Sequence, residues 1–390
     1  MFRMNELGLV LSSRDCVVLT ARRRGEVDEQ RTPALAQVVD SQIRAVGHRA
    51  YRLVGKSNDI VCVFPGRLDD PTVLSGYLER IVPRGSVLQR RRIWACIPTA
   101  SSLQMQMDLR NCFDASLRPR DAVLVPEILA AALGAGLPVL HSEEDSHRAR
   151  MVVHFGTSRV SSGVFIDGAL TGLVVHEGSW DRLIREVQEN LQFRLGAGFG
   201  FNTFAKVVRT LSRTFFERQS TDGTRKPVFP KETDGIEEEL ATDLEFSAEV
   251  MPEVSAPTNL RSFNERGLIE YVTEDPVICR SIDIQLQNLL FSLEKVVYGC
   301  FSTLRGSGRG EIASDLFSDR IILCGEIYFD ASALARYFSR LTRFRFEVVN
   351  TNPIAKGLRR ILTAESPQKR SYKELSTSMN QQQQLALSYV

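Results

Sequence analysis

The chain has 390 residues, with 49 Lys plus Arg against 47 Asp plus Glu, a formal net charge of +2, and it is 43% hydrophobic and 25% charged. Such proportions belong to ordinary globular proteins and exclude a collagen, a mucin-like stalk and a wholly disordered chain. A near-neutral total argues against a protein dominated by nucleic-acid electrostatics, and at roughly 100 to 200 residues per domain the length suggests two or three domains.

The N-terminal residues Met1-Phe2-Arg3-Met4-Asn5-Glu6 show no apolar stretch followed by a small-residue cleavage site, and no run approaches the roughly 18 apolar residues of a membrane span. This predicts a cytoplasmic chain. Leu7 to Val10 and Cys16 to Thr20 are apolar runs separated by Ser12-Ser13-Arg14-Asp15, which predicts two strands joined by a polar turn. Ile60 to Phe64 and Ile93 to Ile97 are further strand-type runs. From Ser101 to Phe113 the pattern is helical, with Leu103, Met107 and Leu109 to Cys112 as its apolar positions. Ala122 to Val125 reads as a buried strand, and Glu127 to Gly136 (EILAAALGAG) as a small-residue helix stopped by Gly136 and Pro138. Strand, helix and strand in alternation indicate an α/β domain.

Met151 to Phe155, the short stretch Gly156-Thr157-Ser158-Arg159 and the run Val160 to Ile166 repeat the strand-turn-strand opening of the chain. That repetition is a signal of internal duplication. A helix is expected from Trp180 to about Leu195, with Leu183, Val187 and Leu191 at fourfold spacing. Between Glu232 and Glu253 there are nine acidic residues and no basic one, with prolines at 227, 230, 252 and 257. Residues 217 to 262 are read as an exposed, mobile acidic insertion, either a solvated loop or a docking segment. Beyond it, Ile282 to Leu304 is amphipathic, Arg320 to Cys324 is a strand, and Ala331 to Leu341 is a helix. From Ser366 the chain turns polar, with glutamines at 381 to 384, and is expected to be a disordered tail.

The seven cysteines are widely spaced with no CxxC pair, so they read as reduced core thiols. His154 has no histidine partner at ligand spacing and is expected to be a structural residue at a strand end. Arg22-Arg23-Arg24 and Arg90-Arg91-Arg92 read as solvated loops or as contacts for lipid headgroups or an acidic partner.

Three blocks resemble the bacterial actin MreB family. Val123 to Val139 (VLVPEILAAALGAGLPV) is similar to that family's strand, Glu-Glu-Pro and Ala-rich helix. Glu311 to Ile327 (EIASDLFSDRIILCGEI) resembles the helix and strand leading into its adenosine loop, and Gly178 to Arg209 resembles the helix pair after its second phosphate loop. The resemblance covers most of residues 5 to 363. It implies an actin-like ATPase fold, two related α/β lobes with ribonuclease H-like cores around a nucleotide cleft. The expected divisions are residues 1 to 148 for the first lobe, 149 to 365 for the second with its insertion, and 366 to 390 for the tail. Members of the family bind ATP and Mg²⁺, polymerise, and in bacteria lie along the inner membrane.

At the nucleotide stations the sequence departs from the family. The metal-associated Asp of the first phosphate loop falls on Val10, followed by Ser12, Ser13 and Arg14. The Asp of the second loop falls on His154, followed by Gly156, Thr157, Ser158 and Arg159. The water-positioning Glu falls on Pro126, with Glu127 one place later, and the triple Gly of the adenosine loop has become Gly325-Glu326-Ile327. The resemblance therefore implies weak or absent binding of ATP or ADP, no Mg²⁺, and impaired or absent hydrolysis, with Ser12, Ser13, Arg14, Gly156, Thr157, Ser158, Arg159, Gly325 and Glu326 as remnants of the cleft. Three readings stand at this point. One is a filament-forming or filament-associated pseudo-ATPase of the cytoskeleton, acting in cell shape or intracellular organisation. Another is an ATP-dependent filament protein with an unusual site. The last is a non-polymerising adaptor on another bacterial actin or a membrane assembly. Self-association, peripheral contact with the inner face of the membrane through Met1 to Met4, and no nucleic acid are the expected partner relations.

Overall fold

The structure is a computed structural model that describes residues 6–12, 14–22, 25–54, 57, 59–64, 68–83, 91–140, 149–156, 159–166, 169–177, 201–221, 267, 270–271, 274–306, 308, 316, 320–325, 331–342, 344–349 and 353–387. In the first half, β1 (Glu6–Leu11), β2 (Asp15–Ala21) and β3 (Val27–Pro33) form an antiparallel meander. Three short strands follow, β4 (Leu35–Val39), β5 (Gln42–Val46) and, after α1 (His48–Tyr51), β6 (Ile60–Cys62). They make a separate sheet in the order β5-β4-β6. Next come α2 (Pro71–Ile81), β7 (Arg92–Ile97), α3 (Leu103–Ser116), β8 (Asp121–Pro126) and α4 (Glu127–Ala135). Both crossovers return to strands parallel to their predecessors, giving the sheet order β3-β2-β1-β7-β8.

The second half repeats that plan. Strands β9 (Arg150–Phe155), β10 (Arg159–Ile166) and β11 (Ala169–Glu177) form the meander; α5 (Phe201–Thr221) and α6 (Pro276–Gly306) follow. Then β12 (Arg320–Gly325), α7 (Ala331–Thr342) and β13 (Arg345–Val349) complete a sheet in the order β11-β10-β9-β12-β13. Two sheets with the same sequence of antiparallel and parallel pairings are the duplication that the strand-turn-strand starts predict. The last two helices are α8 (Pro353–Thr363) and α9 (Ser366–Leu387).

Strand periodicity explains the layering. In β1, Leu7, Leu9 and Leu11 join a cluster with α2 and α3, whereas Val10 points to the opposite face and joins α4 and α8. A strand buried on both faces reads as a continuous apolar run, which is why ELGLVL shows no clean alternation. The second sheet behaves likewise. Its Val152, Phe165, Ile322 and Cys324 meet α4 and α8, and its Met151, Val153 and Phe155 meet α5, α6 and α7. The result is five layers, helix, sheet, helix, sheet, helix, with α4 and α8 shared between the two lobes.

The sequence of α4 suits that central place. Residues 127 to 133 are all buried, and three consecutive alanines leave room for neighbours on every side. Gly136 ends the helix with φ 94°, and the Leu137 amide donates to the Ala132 carbonyl, closing a Schellman-type cap. Helix α8 crosses α4 at glycine contacts and also packs on β1 and β2.

Several expectations are corrected. Residues 366 to 387 form a helix, not a disordered tail, and long-range contacts hold it. Lys369 pairs with Glu6 on β1, and Lys373 pairs with Asp121 on β8 at 2.7 Å. Arg92 lies between those same two carboxylates, at 3.7 Å from Glu6 and 3.3 Å from Asp121, so it is part of this network and not a solvated loop residue. Further along, Asn380 Nδ2 donates to the Leu124 carbonyl, and Met379 is fully buried. Met379→Ala should lower stability by about 3 kcal/mol, read as a shift of the urea midpoint, because it opens a cavity between α9 and the shared core. A shift within the scatter of exposed substitutions would show that α9 is not seated there.

Glu217 to Thr221, assigned above to the insertion, continue α5; residues 222 to 262 lie outside the described residues, as does the expected helix at 180 to 195. Of the predicted apolar positions of α3, Leu109 and Cys112 are buried, joined by Phe113, but Leu103 and Met107 are 55% and 50% exposed. Five cysteines are buried, Cys62 and Cys279 are half-buried, and all seven are free thiols.

Candidate functional site

The β1–β2 and β9–β10 turns are closed by the same backbone bond. Ser12 N donates to Asp15 O at 3.2 Å, and Gly156 N donates to Arg159 O at 2.9 Å. In the first turn, the Ser12 hydroxyl donates to Asp15 O and accepts from the amides of Arg14 and Asp15 at 3.3 and 3.1 Å. A phosphate-binding turn needs amides directed outward at the anion. Here the polar groups of Ser12 and two of its neighbours' amides are engaged with one another. Arg14 lies 3.8 Å from Asp15 and is 45% exposed.

Beside the second turn, the last residues of β9 and the first residue of α4 come together. His154 is 1% exposed, and its Nδ1 lies 3.8 Å from Glu127 Oε2. Among the described residues neither ring nitrogen has a hydrogen-bond partner. Burial pushes the imidazole from 6.5 down to about 4, so the contact at neutral pH joins an uncharged ring and a carboxyl group and is not an ion pair. A Cβ on Gly156 would sit 3.0 Å from Glu127 Oε2 and 3.4 Å from the His154 ring, so the glycine makes room for this pair.

The depressed imidazole predicts a pH dependence. Between about 6.5 and 4 the unfolded chain binds a proton that the folded chain does not, so this group's contribution is present at neutral pH and is lost as pH falls through that window. From pH 7 to pH 5 the wild type should lose about 2 kcal/mol more stability than His154→Leu, read from urea midpoints. Equal losses would show that His154 is solvated or already charged in the folded chain.

Arg159 turns away from its own loop. Its Nη1 donates to the Ala100 carbonyl at 2.9 Å, across from the second lobe to the loop between β7 and α3. Ala100 has φ 60°, and its amide donates to Gln383 Oε1 on α9 at 2.8 Å. In the same loop the Thr99 hydroxyl accepts from Ile128 N at the start of α4. One loop thus ties both lobes and the last helix together, a connection of residues 59 and 283 positions apart that no local motif announces.

Gly325 ends β12 with φ 122°, and a Cβ there would overlap the Phe155 carbonyl of the neighbouring strand. Close backbone approach accounts for this glycine. Ser13, Thr157, Ser158 and Glu326 lie outside the described residues. Val10, at the first metal station, is 3% exposed within the apolar cluster that also holds Trp94, Cys96 and Val125. Among the described residues no group of three or more His, Cys, Asp or Glu side chains has the geometry of a metal site. Among the described residues, the ends of β1 and β9 hold a buried apolar Val10 and a neutral His154 whose ring nitrogens have no hydrogen-bond partner.

No family model and no curated protein matches the sequence. Solved structures do match the coordinates. MreB5 of Spiroplasma citri bound to AMPPNP gives a TM-score of 0.61 at 14% identity, covering 96% of this chain and 99% of that one. Its ADP-bound structure gives 0.61 at 14% identity, covering 95% and 98%. The subunit of the MamK double helical filament gives 0.57 at 14% identity, covering 92% and 97%. The chain has the actin-like fold.

Proposed function

We propose that this protein is an actin-like cytoskeletal protein, filament-forming or filament-associated, that works without appreciable ATP hydrolysis. The reading rests on the cleft floor. Phosphoryl transfer on an actin-like scaffold requires a hard cation held by oxygen ligands and a positioned water. At the two strand ends assigned to the carboxylates, this chain has a buried Val10 and a neutral His154. Loss of one transition-state contact costs about 10² to 10³ in rate, so two such losses place turnover about 10⁴-fold or more below a working site. Self-association is supported by likeness to the subunit of a double helical filament, and the place of action proposed is the cytoplasm, in cell shape or intracellular organisation. Among the described residues no helix is long and apolar enough to cross a membrane. Contact with the membrane face or with another actin-like filament would therefore be peripheral.

Phosphate release from ATP with Mg²⁺ and sedimentation with and without nucleotide test the two halves of this reading. Expected are no turnover above background and nucleotide-independent pelleting of polymer. Turnover matching an ordinary bacterial actin would overturn the first half; a strictly monomeric species under all conditions would overturn the second.

A further inference from the structure

The loop between β7 and α3 adopts a conformation that its own sequence disfavours. Ala100 has φ 60°, in the left-handed region where a Cβ crowds the following carbonyl. A non-glycine residue stays there only when its surroundings over-determine it. Two residues from opposite directions do so: the Ala100 amide donates to Gln383 Oε1 on α9 at 2.8 Å, and its carbonyl accepts from Arg159 Nη1 of the second lobe at 2.9 Å. On either side the loop is pinned locally, because the Ser101 hydroxyl donates to Pro98 O at 2.6 Å and the Thr99 hydroxyl accepts from Ile128 N at 3.1 Å. Ala100 is therefore the residue of this loop whose backbone depends on distant parts of the chain.

Of the two distant arms, α9 is the less firmly seated. Among the described residues it buries Ser376, Met379, Asn380 and Gln383, of which only Met379 is apolar, whereas α8 buries Ile354, Leu358, Ile361 and Leu362. A helix held through polar groups gains little from apolar burial and belongs to the low-stability end of a fold. Two polar atoms on its buried face, Asn380 Oδ1 and Gln383 Nε2, have no hydrogen-bond partner among the described residues, which opposes seating. Its first turns are held by the ion pairs of Lys369 with Glu6 and of Lys373 with Asp121, and the second pair is partly exposed and so is screened by salt.

We infer that α9 is a strap that positions Arg159, so that its seating on the outer edge of the first lobe controls the contact between the lobes. With α9 down, Gln383 holds Ala100 in the left-handed conformation and the Ala100 carbonyl meets Arg159. When the C-terminal half of α9 lifts, Ala100 relaxes to negative φ, a rotation of about 120° that reorients the flanking peptide groups and withdraws the carbonyl from Arg159. The strap acts without nucleotide and without a polymer, so it stands apart from the function proposed above.

Hydrogen exchange on the full-length chain, resolved to single amides by mass spectrometry, tests this. The Gly156 amide bonds to Arg159 O and reports the second-lobe turn; the Leu323 amide, on β12 between β9 and β13, reports global opening. Relative to Leu323, Gln383→Ala should speed exchange at Gly156 by about tenfold, the effect of losing one hydrogen bond. In an Arg159→Met background, where the link is already cut, the same change should add less than about twofold. It should also add less than about threefold in Ala100→Gly, because glycine is unstrained at that φ and no longer needs Gln383 to hold it there. Lys373→Ala weakens the seating of α9 without touching the loop or the second lobe, and should speed Gly156 by about threefold. Gly156 exchange that follows Leu323 in both Gln383→Ala and Lys373→Ala, or an effect of Gln383→Ala that is equal with and without Arg159, would overturn the proposal.

Discussion

Gly357→Ala should destabilise the chain by about 3 kcal/mol or more, although helix propensity alone favours alanine over glycine by about 1 kcal/mol. The sign is decided by what the new methyl group meets. Gly357 lies on α8 where that helix crosses α4, and a Cβ there would overlap the Ala130 carbonyl. On the other side of the crossing, a Cβ on Gly134 would overlap the Pro353 carbonyl. Both obstacles are backbone, so no rotamer change relieves them, and the two central helices would have to move apart. Each of these helices carries seven buried residues, from Glu127 to Leu133 in α4 and from Pro353 to Leu362 in α8, so separating them loosens both lobes at once. Gly306→Ala is the matched control, since a Cβ at that position of α6 has nothing within 4 Å. Urea midpoints should fall for Gly357→Ala and Gly134→Ala and stay level or rise slightly for Gly306→Ala. A rise at Gly357 would mean that α4 and α8 are not in backbone contact.

Val10→Asp combined with His154→Asp should restore the residue types of the actin family without restoring its ligand. The expected cost is about 3 kcal/mol or more in stability, with no gain in affinity for Mg²⁺-ATP. Val10 points into the cluster shared by α4, α8 and both sheets, where burial among apolar side chains such as Val125 and Leu129 opposes a charged carboxylate. His154 likewise lies in a buried position in which burial opposes charge, and a second carboxylate there would face Glu127. In addition, the Arg14 and Asp15 amides are held by the Ser12 hydroxyl and would have to be released to meet a phosphate. Isothermal titration with Mg²⁺-ATP alongside urea unfolding reads both quantities. Affinity tightened tenfold or more at unchanged stability would show that the cleft had kept its nucleotide geometry and lost only two side chains.

Much of the two-lobed plan is legible in the sequence because it is built from local regularities. The apolar runs at Leu7 to Val10, Cys16 to Thr20, Met151 to Phe155 and Val160 to Ile166 mark the two meanders, and EILAAALGAG marks a helix whose every side is crowded. Strands β3 to β5 are not legible in the same way, whereas β6 follows the apolar run that begins at Ile60. Val27–Pro33 is largely exposed with a run of polar residues that has no strand period, and Gln42–Val46 is a half-buried stretch too short to separate strand from loop. Helix α9 is misread for a related reason. Its polar composition and glutamine run suggest a tail, and the faint stripe of Tyr372, Leu375 and Met379 is the one local signal of a buried face. Ion pairs to Glu6 and Asp121 and amide bonds to Leu124 and Ala100, all more than 250 residues away, supply the rest.

The candidate site divides in the same manner. That Val10, His154 and Gly325-Glu326 depart from the residue types which the resemblance implies is plain in the sequence, but what these residues do is not. That His154 is neutral, that Glu127 is its neighbour, and that Arg159 reaches into the other lobe follow from burial and from strand pairings that no window of sequence contains. Near-neutral charge, widely spaced cysteines, repeated meanders and a crowded central helix are fixed by residue type and spacing alone. Whether a polar residue ends as a ligand, a turn lock or a bridge between lobes depends on which distant groups desolvate it and which bond to it, and only the tertiary structure decides that.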